Sequence, residues 1–560
     1  MIFRVDLLPG CYLWSSRTRL QVLGLGLLLL AQLGQPEFRH FSLLHATGEQ
    51  NPGLILTAAL VLRKNGIVVR LIENALDYQI GVRGDGNQVS TMDHPGSPVF
   101  DPLANALLQP RILELFKILG LVTDIQQFYR APLNESFQQF PTFANPGILV
   151  QSSTEAILRS HLSRLGVTAE LGTEFVNFTQ DAHKVIANLL KRDKSGSSEN
   201  EALTGITRKH LGINFWGEPL EKQAFLVADV EMEGLDRQYW AAYGRAGTGL
   251  VLALPLGPAR HFSVAYLNAS PPIRNQVPLV DVTAHCGANI RCADKFNIGR
   301  VFIAGDAYGA HVHLPVGGQG LNSSVQDSRM FAIKEMLKLT TNLHAQSMSD
   351  RDLASKDTSQ SVNPGLVREH IFKQLGVNYQ WSGIVLDQRL DSNKNVNGGN
   401  KVYTPYGNED EPIQAGDRAP DAPNLVLVPV TEGAAPTTTT LFDLLTPFAH
   451  TTLPYFNPGY IACARKYNKD GHRLVDSYLV LPENTADVGS GRVVGGMNRV
   501  VVDTQGHAQR AYVAATQARN ALPSVIIICP DTYIGAFVHD AQGVGEILLK
   551  NLCLAFLRAL

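Results

Sequence analysis

The hydrophobic positions between residues 41 and 73 predict a strand, a helix and a second strand. FSLLHAT (41–47) is apolar over the length of a strand, LILTAALVLRKN (54–65) has the length of a helix, and IVVRLIE (67–73) is another apolar run. Gly66 lies where the carboxyl-terminal cap of that helix is expected. About thirty residues is the smallest right-handed crossover between parallel strands. The pattern therefore predicts an α/β fold.

Further apolar runs predict more of this domain and a separate carboxyl-terminal unit. RILELFKILG (111–120) has helical spacing, residues from 150 to 280 alternate short strands with turns, and RVFIAG (300–305) is a strand before a helix that starts near Leu321. NLVLVP (424–429), SYLVLP (477–482) and SVIIIC (524–529), with a terminal helix, suffice for a small α/β domain. Polar low-complexity sequence at 346–362 and 390–420 predicts a linker region.

Composition narrows the class of partner. The chain has 560 residues, 48 Lys and Arg against 50 Asp and Glu, and a formal charge of -2, so it has no basic field for nucleic acid. Its 6 cysteines form no Cys-x-x-Cys pair, which argues against a disulfide framework or a thiolate zinc site. We expect a small-molecule ligand, no metal, and a reducing compartment, the cytoplasm.

An apolar run precedes the predicted α/β unit. VLGLGLLLLA (22–31) follows Arg17 and Arg19 and is similar to part of a signal sequence, but it is shorter than the roughly 20 residues of a membrane span. We interpret residues 1–37 as an atypical amino-terminal extension. The alternative is a membrane-anchored or secreted protein.

A first glycine signal lies between the first predicted strand and helix. Gly48 and Gly53 have the spacing of the first and third glycines of G-x-G-x-x-G, whereas Gln50 replaces the middle one. Glu73 follows Gly53 by about twenty residues, where a carboxylate can accept both hydroxyls of an adenosine ribose. The alternative is a plain turn with a surface carboxylate.

The second glycine signal is denser. The strand RVFIAG leads into Gly305 and Asp306, and a loop and helix start follow that contain Pro315, Gly317, Gly318, Gly320, Leu321 and Asn322. Backbone amides at a helix start can bind phosphate or a negatively charged ring, and Asp306 can accept from a ribityl hydroxyl. His311 and His313 have no third ligand at a matching spacing, so they are interpreted as loop or core residues.

Together these segments resemble the flavin-dependent aromatic monooxygenases, the group of para-hydroxybenzoate hydroxylase and the phenol hydroxylase-like enzymes. The resemblance rests on GLILTAALVLRKNGIVVRLIE with YQIGVRGDG, QPRILELFKILG, QSSTEAILRSHLSRLGVTAELGTE, LVADVEMEGLD, RVFIAGDA with HLPVGGQGLNSSVQDS, and AGDRAPDAPNLVL. It implies that Glu73 holds the adenosine ribose of FAD, Arg83 and Gln151 contact the diphosphate region, and Asp306 holds ribityl and phosphate. Pro315 through Asn322 would lie along the isoalloxazine.

The resemblance also implies a reaction. NADPH, or NADH, would reduce the flavin transiently, and a flavin hydroperoxide would hydroxylate a phenolic or other aromatic substrate in a dry pocket. The substrate and oxygen would be the small-molecule partners. The catalytic residues stay unassigned.

The implied architecture has three domains. An FAD-binding Rossmann-like domain of the glutathione reductase type (38–150 and 281–345) is interrupted by an α+β substrate domain (151–280). A linker region (346–420) leads to a thioredoxin-like domain (421–560). That tail has no Cys-x-x-Cys pair and Cys463 stands alone in YIACARKY, so packing or formation of a homodimer is expected rather than redox exchange.

The chain departs from the family pattern at discrete places. Gln50 replaces a glycine, Tyr308 and Gly309 are extra after Asp306, residues 87–108 are inserted, and family segments near KSGSSENEALTGI and after Ser328 are missing. Two alternatives to an active monooxygenase follow: a flavoprotein-like scaffold that cannot hold FAD, or an altered transcript of an active enzyme. A flavoprotein oxidase or reductase that never hydroxylates is a third.

Overall fold

A computed structural model of the chain describes a large part of its sequence. The residues described are 2–3, 41–46, 52–78, 110–129, 151–181, 185–192, 206–231, 233–234, 241–245, 249–255, 261–267, 284–299, 301–303, 309–310, 375–382, 385–389, 412–429, 435–454, 468, 474–482, 499–513, 525–540 and 542–548.

The strands and helices are numbered along the chain. The strands are β1 (Ile2–Phe3), β2 (Phe41–Ala46), β3 (Val68–Glu73), β4 (Ala169–Glu170), β5 (Thr173–Gln180), β6 (Val185–Lys191), β7 (Phe215–Glu231), β8 (Ala241–Arg245), β9 (Gly249–Pro255), β10 (His261–Leu267), β11 (Ala284–Ala293), β12 (Asn297–Ile298), β13 (Val301–Phe302), β14 (Gly309–Ala310), β15 (Leu386–Asp387), β16 (Leu425–Leu427), β17 (Thr437–Thr439), β18 (His450–Pro454), β19 (Val475–Pro482), β20 (Arg499–Asp503), β21 (Val525–Ile528) and β22 (Ile534–Val538). The α-helices are α1 (Pro52–Lys64), α2 (Pro110–Ile118), α3 (Val122–Tyr129), α4 (Gln151–Arg164), α5 (Ile206–His210) and α6 (Leu441–Leu444), with a π-helical turn at Gln509–Val513 and a helical segment at 542–548.

The first sheet contains the predicted strand–helix–strand unit. Its order is β12-β13-β1-β2-β3-β4, and β2, β3 and β4 are parallel. Helix α1 connects β2 to β3, and Gly66 ends it with φ +78°, a conformation that glycine adopts without strain. The predicted unit is therefore confirmed.

Helices α1, α2 and α4 bury one apolar core on this sheet. Leu56 and Leu60 of α1, Phe116 of α2 and Leu158 and Leu162 of α4 belong to it. Helix α4 lies where short strands were predicted. That prediction was wrong there because Leu158 and Leu162, one turn apart, face the core as a helical stripe.

The amino-terminal residues contribute a strand that the sequence pattern did not indicate. Ile2 pairs with Leu43 of β2 and with Val301 of β13, antiparallel on both sides. The apolar run 22–31 lies outside the described residues. Among the helices that are described, none is both long and apolar enough to cross a bilayer.

The second sheet is antiparallel and has the order β14-β11-β7-β10-β9-β8. Its longest strands, β7 and β11, pair along their length with an irregularity between Gly287 and Ala288. Strands β5 and β6 form a separate hairpin. Ile72 and Val301 of the first sheet share a buried cluster with Phe175 of the hairpin and Cys292 of β11. The two sheets are thus joined by a common core.

The carboxyl-terminal sheet has the order β15-β22-β21-β18-β19-β20-β16-β17, with parallel pairing of β18 to β19 and of β19 to β20. The three predicted strands at 425–427, 475–482 and 525–528 are confirmed. Two buried clusters cover its faces; one includes Phe537 and Tyr512, and the other includes Val475 and Ile547 of the segment 542–548.

Part of the expected linker belongs to this carboxyl-terminal core. Val377, Tyr379, Ala415 and Ala419 are buried, and β15 pairs with β22. The linker prediction of 346–420 was wrong for these stretches because scattered apolar residues anchor a mostly polar segment. Residues 346–374 and 390–411 lie outside the described part.

Candidate functional site

Three strands of the first sheet end at the same edge. Strand β2 is parallel to β3, and β1 is antiparallel to both β2 and β13, so β13 runs in the direction of β2. The segments that follow β2 and β13 contain the two glycine signals. In open α/β sheets, ligands bind at the carboxyl ends of the strands. This edge is therefore the candidate site.

Helix α1 begins at this edge. Pro52 is its first residue, a position where the missing N–H costs nothing, and Gly53 is buried in the first turn. Thr57 donates its hydroxyl to the Gly53 carbonyl at 2.7 Å. The first amides of a helix have no acceptor within the helix, and they carry the positive end of its dipole. The start of α1 therefore suits a phosphate.

Glu73 ends β3 at the same edge. Its side chain is 7 % exposed, and its Oε1 accepts the Ala75 N–H at 2.9 Å. Ala75 in turn accepts the Gly172 N–H at 2.8 Å. Gly172 has φ +64°, and a Cβ there would lie 2.8 Å from the Arg192 carbonyl oxygen. The turn that orients Glu73 is therefore held by a position that only glycine fits.

Asn74 adds an acceptor that the sequence pattern did not single out. Its Oδ1 is buried and has no hydrogen-bond partner among the described residues. A buried acceptor without a donor is costly unless a ligand supplies one. Adenosine carries such donors in its ribose hydroxyls and its amino group. Glu73 and Asn74 together therefore fit the adenosine half of FAD.

The structure describes three of the residues predicted to contact the cofactor. Gly53 and Glu73 lie at the edge just described, and Gln151 is the first residue of α4. The others, Gly48, Arg83, Gly305, Asp306, Pro315, Gly317, Gly318, Gly320, Leu321 and Asn322, lie outside the described residues, as do His311, His313 and Cys463.

The strands before and within the second glycine signal belong to different sheets. Strand β13 belongs to the first sheet, whereas β14 pairs with β11 of the second sheet, with Gly309 opposite Cys292 and Ala310 opposite Arg291. Gly309, one of the two residues that are extra relative to the family pattern, thus forms an edge strand. The predicted ribityl-binding Asp306 lies between β13 and β14 in sequence, where the chain passes from one sheet to the other.

Two arginines lie beside this junction. The Arg208 guanidinium stacks 4.5 Å from the centre of the Phe215 ring and donates to the Ile213 carbonyl at 3.0 Å. Burial, and secondarily the positive charge of Arg291, lowers the pKa of Arg208. Arg291 has a buried Nε without a hydrogen-bond partner among the described residues. An anion could supply the acceptor that the Arg291 Nε lacks.

Comparisons with known proteins find flavin-dependent relatives. The family described as "FAD binding domain" matches residues 53–203 and 273–349. A flavin-dependent monooxygenase of Mycobacteroides abscessus is 26 % identical over 428 residues, which cover 66 % of this chain and 81 % of that protein. A rifampicin monooxygenase of Streptomyces venezuelae is 26 % identical over 303 residues, or 49 % of this chain and 60 % of that protein.

Solved structures show the same fold. The flavin-dependent monooxygenase PieE, in complex with FAD and substrate, matches 92 % of this chain and 100 % of its own with a TM-score of 0.64 at 15 % identity. Aklavinone-11 hydroxylase with FAD and aklavinone matches 93 % and 100 % with a TM-score of 0.62 at 17 % identity. Residues 53–203 and 273–349 therefore match an FAD-binding domain, and the chain is similar in sequence to flavin-dependent monooxygenases.

Proposed function

We propose that the chain is an FAD-dependent, NAD(P)H-consuming monooxygenase that hydroxylates a phenolic or other aromatic compound. The observation that carries the proposal is the shared edge of β2, β3 and β13, where α1 begins after β2 and the buried Glu73 ends β3. Bound FAD would supply the activation of oxygen and its transfer to the aromatic ring. The protein's own residues bind, orient and exclude water.

The adenosine and diphosphate half of FAD would lie along α1 and β3. The amides that begin α1 would donate to the diphosphate, and Glu73 would accept the ribose hydroxyls, with Asn74 Oδ1 accepting a further donor of the adenosine. The family pattern supports the remaining assignments, namely Gly48, Arg83, Gln151, Gly305, Asp306 and the run from Pro315 to Asn322.

Replacing Glu73 with glutamine tests the adenosine site. The amide keeps the size of the side chain but has one acceptor oxygen, so one ribose hydroxyl loses its charged acceptor. We expect Glu73→Gln to raise the Kd for FAD about tenfold, measured by fluorescence titration of the apoprotein. Glu170→Gln is the matched control, since Glu170 ends the neighbouring strand β4 and makes an exposed ion pair with Arg70 at 2.7 Å. Equal Kd values for all three proteins would contradict the assignment.

We also propose that Arg208 and Arg291 hold a phosphate of the nicotinamide dinucleotide while it reduces the flavin. The buried, unpartnered Nε of Arg291 supports this role, because a phosphate oxygen would satisfy it. Only transient binding is needed, which suits two side chains rather than a complete second nucleotide domain.

Stopped-flow reduction of the flavin tests the arginine proposal. We expect Arg291→Met to raise the NADPH concentration for half-maximal reduction about tenfold, with little change in the limiting rate, because the lost contact is remote from the hydride. Lys295→Met, which removes an exposed cation of the same region, is the control. A tenfold loss in both variants would show a general effect of charge instead of a site.

A second candidate function is a flavoprotein-like scaffold without catalytic activity. The observation that favours it is the position of β1, which separates β2 from β13 by one extra strand. Strands β2 and β13, which precede the two glycine signals in the sequence, are therefore about 9.5 Å apart rather than neighbours. A purified protein that is colourless and rejects added FAD would support the scaffold.

The proposed function also implies a domain arrangement and a cellular compartment. We infer an FAD-binding domain of the glutathione reductase type (38–150 and 281–345), a substrate domain (151–280) and a thioredoxin-like tail that begins before residue 421, at the buried segment around Tyr379. We place the protein in the cytoplasm as a homodimer.

A further inference from the structure

Helix α2 lies between the FAD-binding helix α1 and the carboxyl-terminal domain. Ile112, Leu113 and Phe116 of α2 are buried in one core with Leu56 and Leu60 of α1. The opposite side of α2, with Arg111, Glu114 and Ile118 at helical spacing, meets the carboxyl-terminal domain. Helix α2 therefore packs against both α1 and the carboxyl-terminal domain.

A buried charge network joins α2 to the carboxyl-terminal domain. The side chains of Arg111 and Glu114 are 0 % exposed, and Arg111 Nη1 donates to Glu114 Oε2 at 3.0 Å. Arg418, which lies between β15 and β16 in the sequence, donates to Glu114 Oε1 at 2.9 Å. Glu114 therefore uses both carboxylate oxygens, one for each guanidinium.

Arg111 also binds the turn between β21 and β22. It donates to the Thr532 hydroxyl and to the Asp531 carbonyl, both at 2.5 Å, and its guanidinium lies 4.9 Å from the centre of the Tyr533 ring. Thr532 is buried and has φ +65°, a conformation that is costly for a β-branched residue. The turn keeps this conformation while presenting its hydroxyl to Arg111.

Contacts at the carboxyl end of α2 complete the attachment. Lys117 pairs with Asp443 of α6 at 3.0 Å, and Ile118 packs against the carboxyl-terminal core. On the other side, Lys64 of α1 donates to the Leu119 carbonyl at 2.8 Å. Helix α2 therefore contacts the terminal domain near both of its ends, and Lys64 of α1 holds its carboxyl end.

We propose that the carboxyl-terminal domain is a positioning element of the FAD site, acting through Arg111, Glu114 and Arg418. The inference rests on the proposed function. The network fixes α2, the shared core transfers that position to α1, and α1 presents its first amides to the diphosphate. Arg111, Glu114 and Arg418 are positioning residues, since none of them lies at the cofactor edge.

The network is suited to this role because its members depend on one another. Removing one partner of a buried ion pair leaves an uncompensated charge, whereas replacing all members with apolar residues is often tolerated. A shift of α2 to hydrate an orphaned guanidinium would move the shared core. FAD affinity should then fall by more than the loss of stability alone would cause.

Glu114→Gln in the full-length protein is the direct test. Glutamine keeps the shape but offers one acceptor, and its amide group faces a guanidinium. We expect the Kd for FAD to rise tenfold or more, which is about the effect of losing one hydrogen bond to a charged group. Ile547→Ala is the control, because it creates a cavity in the far cluster of the terminal domain without touching α2. Its FAD Kd should stay within about twofold of the wild-type value at a comparable loss of melting temperature.

Two further variants keep the test decisive. Lys117→Met removes the partly exposed pair with Asp443 and keeps the buried network, so it should fold and leave the Kd within about twofold of the wild-type value, and a rise as large as that of Glu114→Gln would contradict the role of the network. The triple variant Arg111→Met, Glu114→Leu, Arg418→Met should recover most of the affinity that Glu114→Gln loses, because no charge is left unpaired.

The results distinguish the positioning role of the network from the proposed function. Unchanged FAD affinity in Glu114→Gln, or an equal loss in Ile547→Ala, would overturn the positioning role. Wild-type protein that binds no FAD would overturn the proposed function instead. Hydrogen exchange of amides 112–116 then reports the docking: we expect faster exchange in Glu114→Gln than in Ile547→Ala, and equal rates would contradict it.

Discussion

Burial shifts the pKa values of two titratable residues of the carboxyl-terminal domain in opposite directions. His450 is 1 % exposed, neither ring nitrogen has a partner among the described residues, and burial lowers its pKa to about 4. Burial raises the pKa of Asp421 to about 6, although its Oδ1 accepts the amides of Ala422 and Phe442 at 2.8 and 2.9 Å. Both amides bind the same oxygen, which leaves Oδ2 to hold the proton.

The two residues have opposite effects on stability between pH 7 and pH 5. The unfolded chain protonates His450 below about pH 6.5, while the folded domain does so only near pH 4, so acid removes stability. Folded Asp421 takes a proton near pH 6, before the unfolded chain does, so acid adds stability. The expected contributions at pH 5 relative to pH 7 are about −2 kcal/mol for His450 and about +1 kcal/mol for Asp421.

Replacing each residue separates the two contributions. We expect His450→Leu to be relatively more stable at pH 5 than at pH 7 when compared with the wild type, and Asp421→Asn to lose more stability than the wild type over the same range. Melting temperatures of the terminal domain at both pH values measure this. Parallel pH profiles for all three proteins would show that neither shift exists in the folded chain.

At the scale of elements, local patterns were predictable and distant pairings were not. The apolar runs of β2, α1 and β3 encode their own structure, because burial on a parallel sheet needs continuous apolar residues. Strand β1 has two residues and no pattern of its own; it exists through pairing with Leu43 and Val301. Strand β14 likewise depends on β11.

In the candidate site, too, some residues were predictable from the sequence and others were not. Glu73 was predicted because a ribose-binding carboxylate follows the glycine loop at a fixed distance along the chain. The Asn74 acceptor and the Arg208–Arg291 pair were not, since their interest lies in atoms left without partners once the sheets pack. The roles of Arg111 and Glu114 depend on Arg418 and Thr532, more than 300 residues away.

At the scale of the whole molecule, the chain joins three sheets through two kinds of contact. The first and second sheets share an apolar cluster and the connection from β13 to β14, beside which the flavin is proposed to lie. The first and third are joined by the buried charges of α2. In this arrangement, the terminal domain belongs to the cofactor-binding body rather than forming an appendage.

The central claim is that the chain binds FAD and uses it to hydroxylate an aromatic ring. The most direct measurement is NADPH oxidation by the purified full-length protein, saturated with FAD, with a set of phenolic compounds under ¹⁸O₂. We expect yellow protein with about one flavin per chain. Phenolic compounds should stimulate NADPH oxidation, and the hydroxylated product should carry one ¹⁸O atom. NADPH oxidation that yields only peroxide with every compound, or protein that rejects FAD, would contradict it.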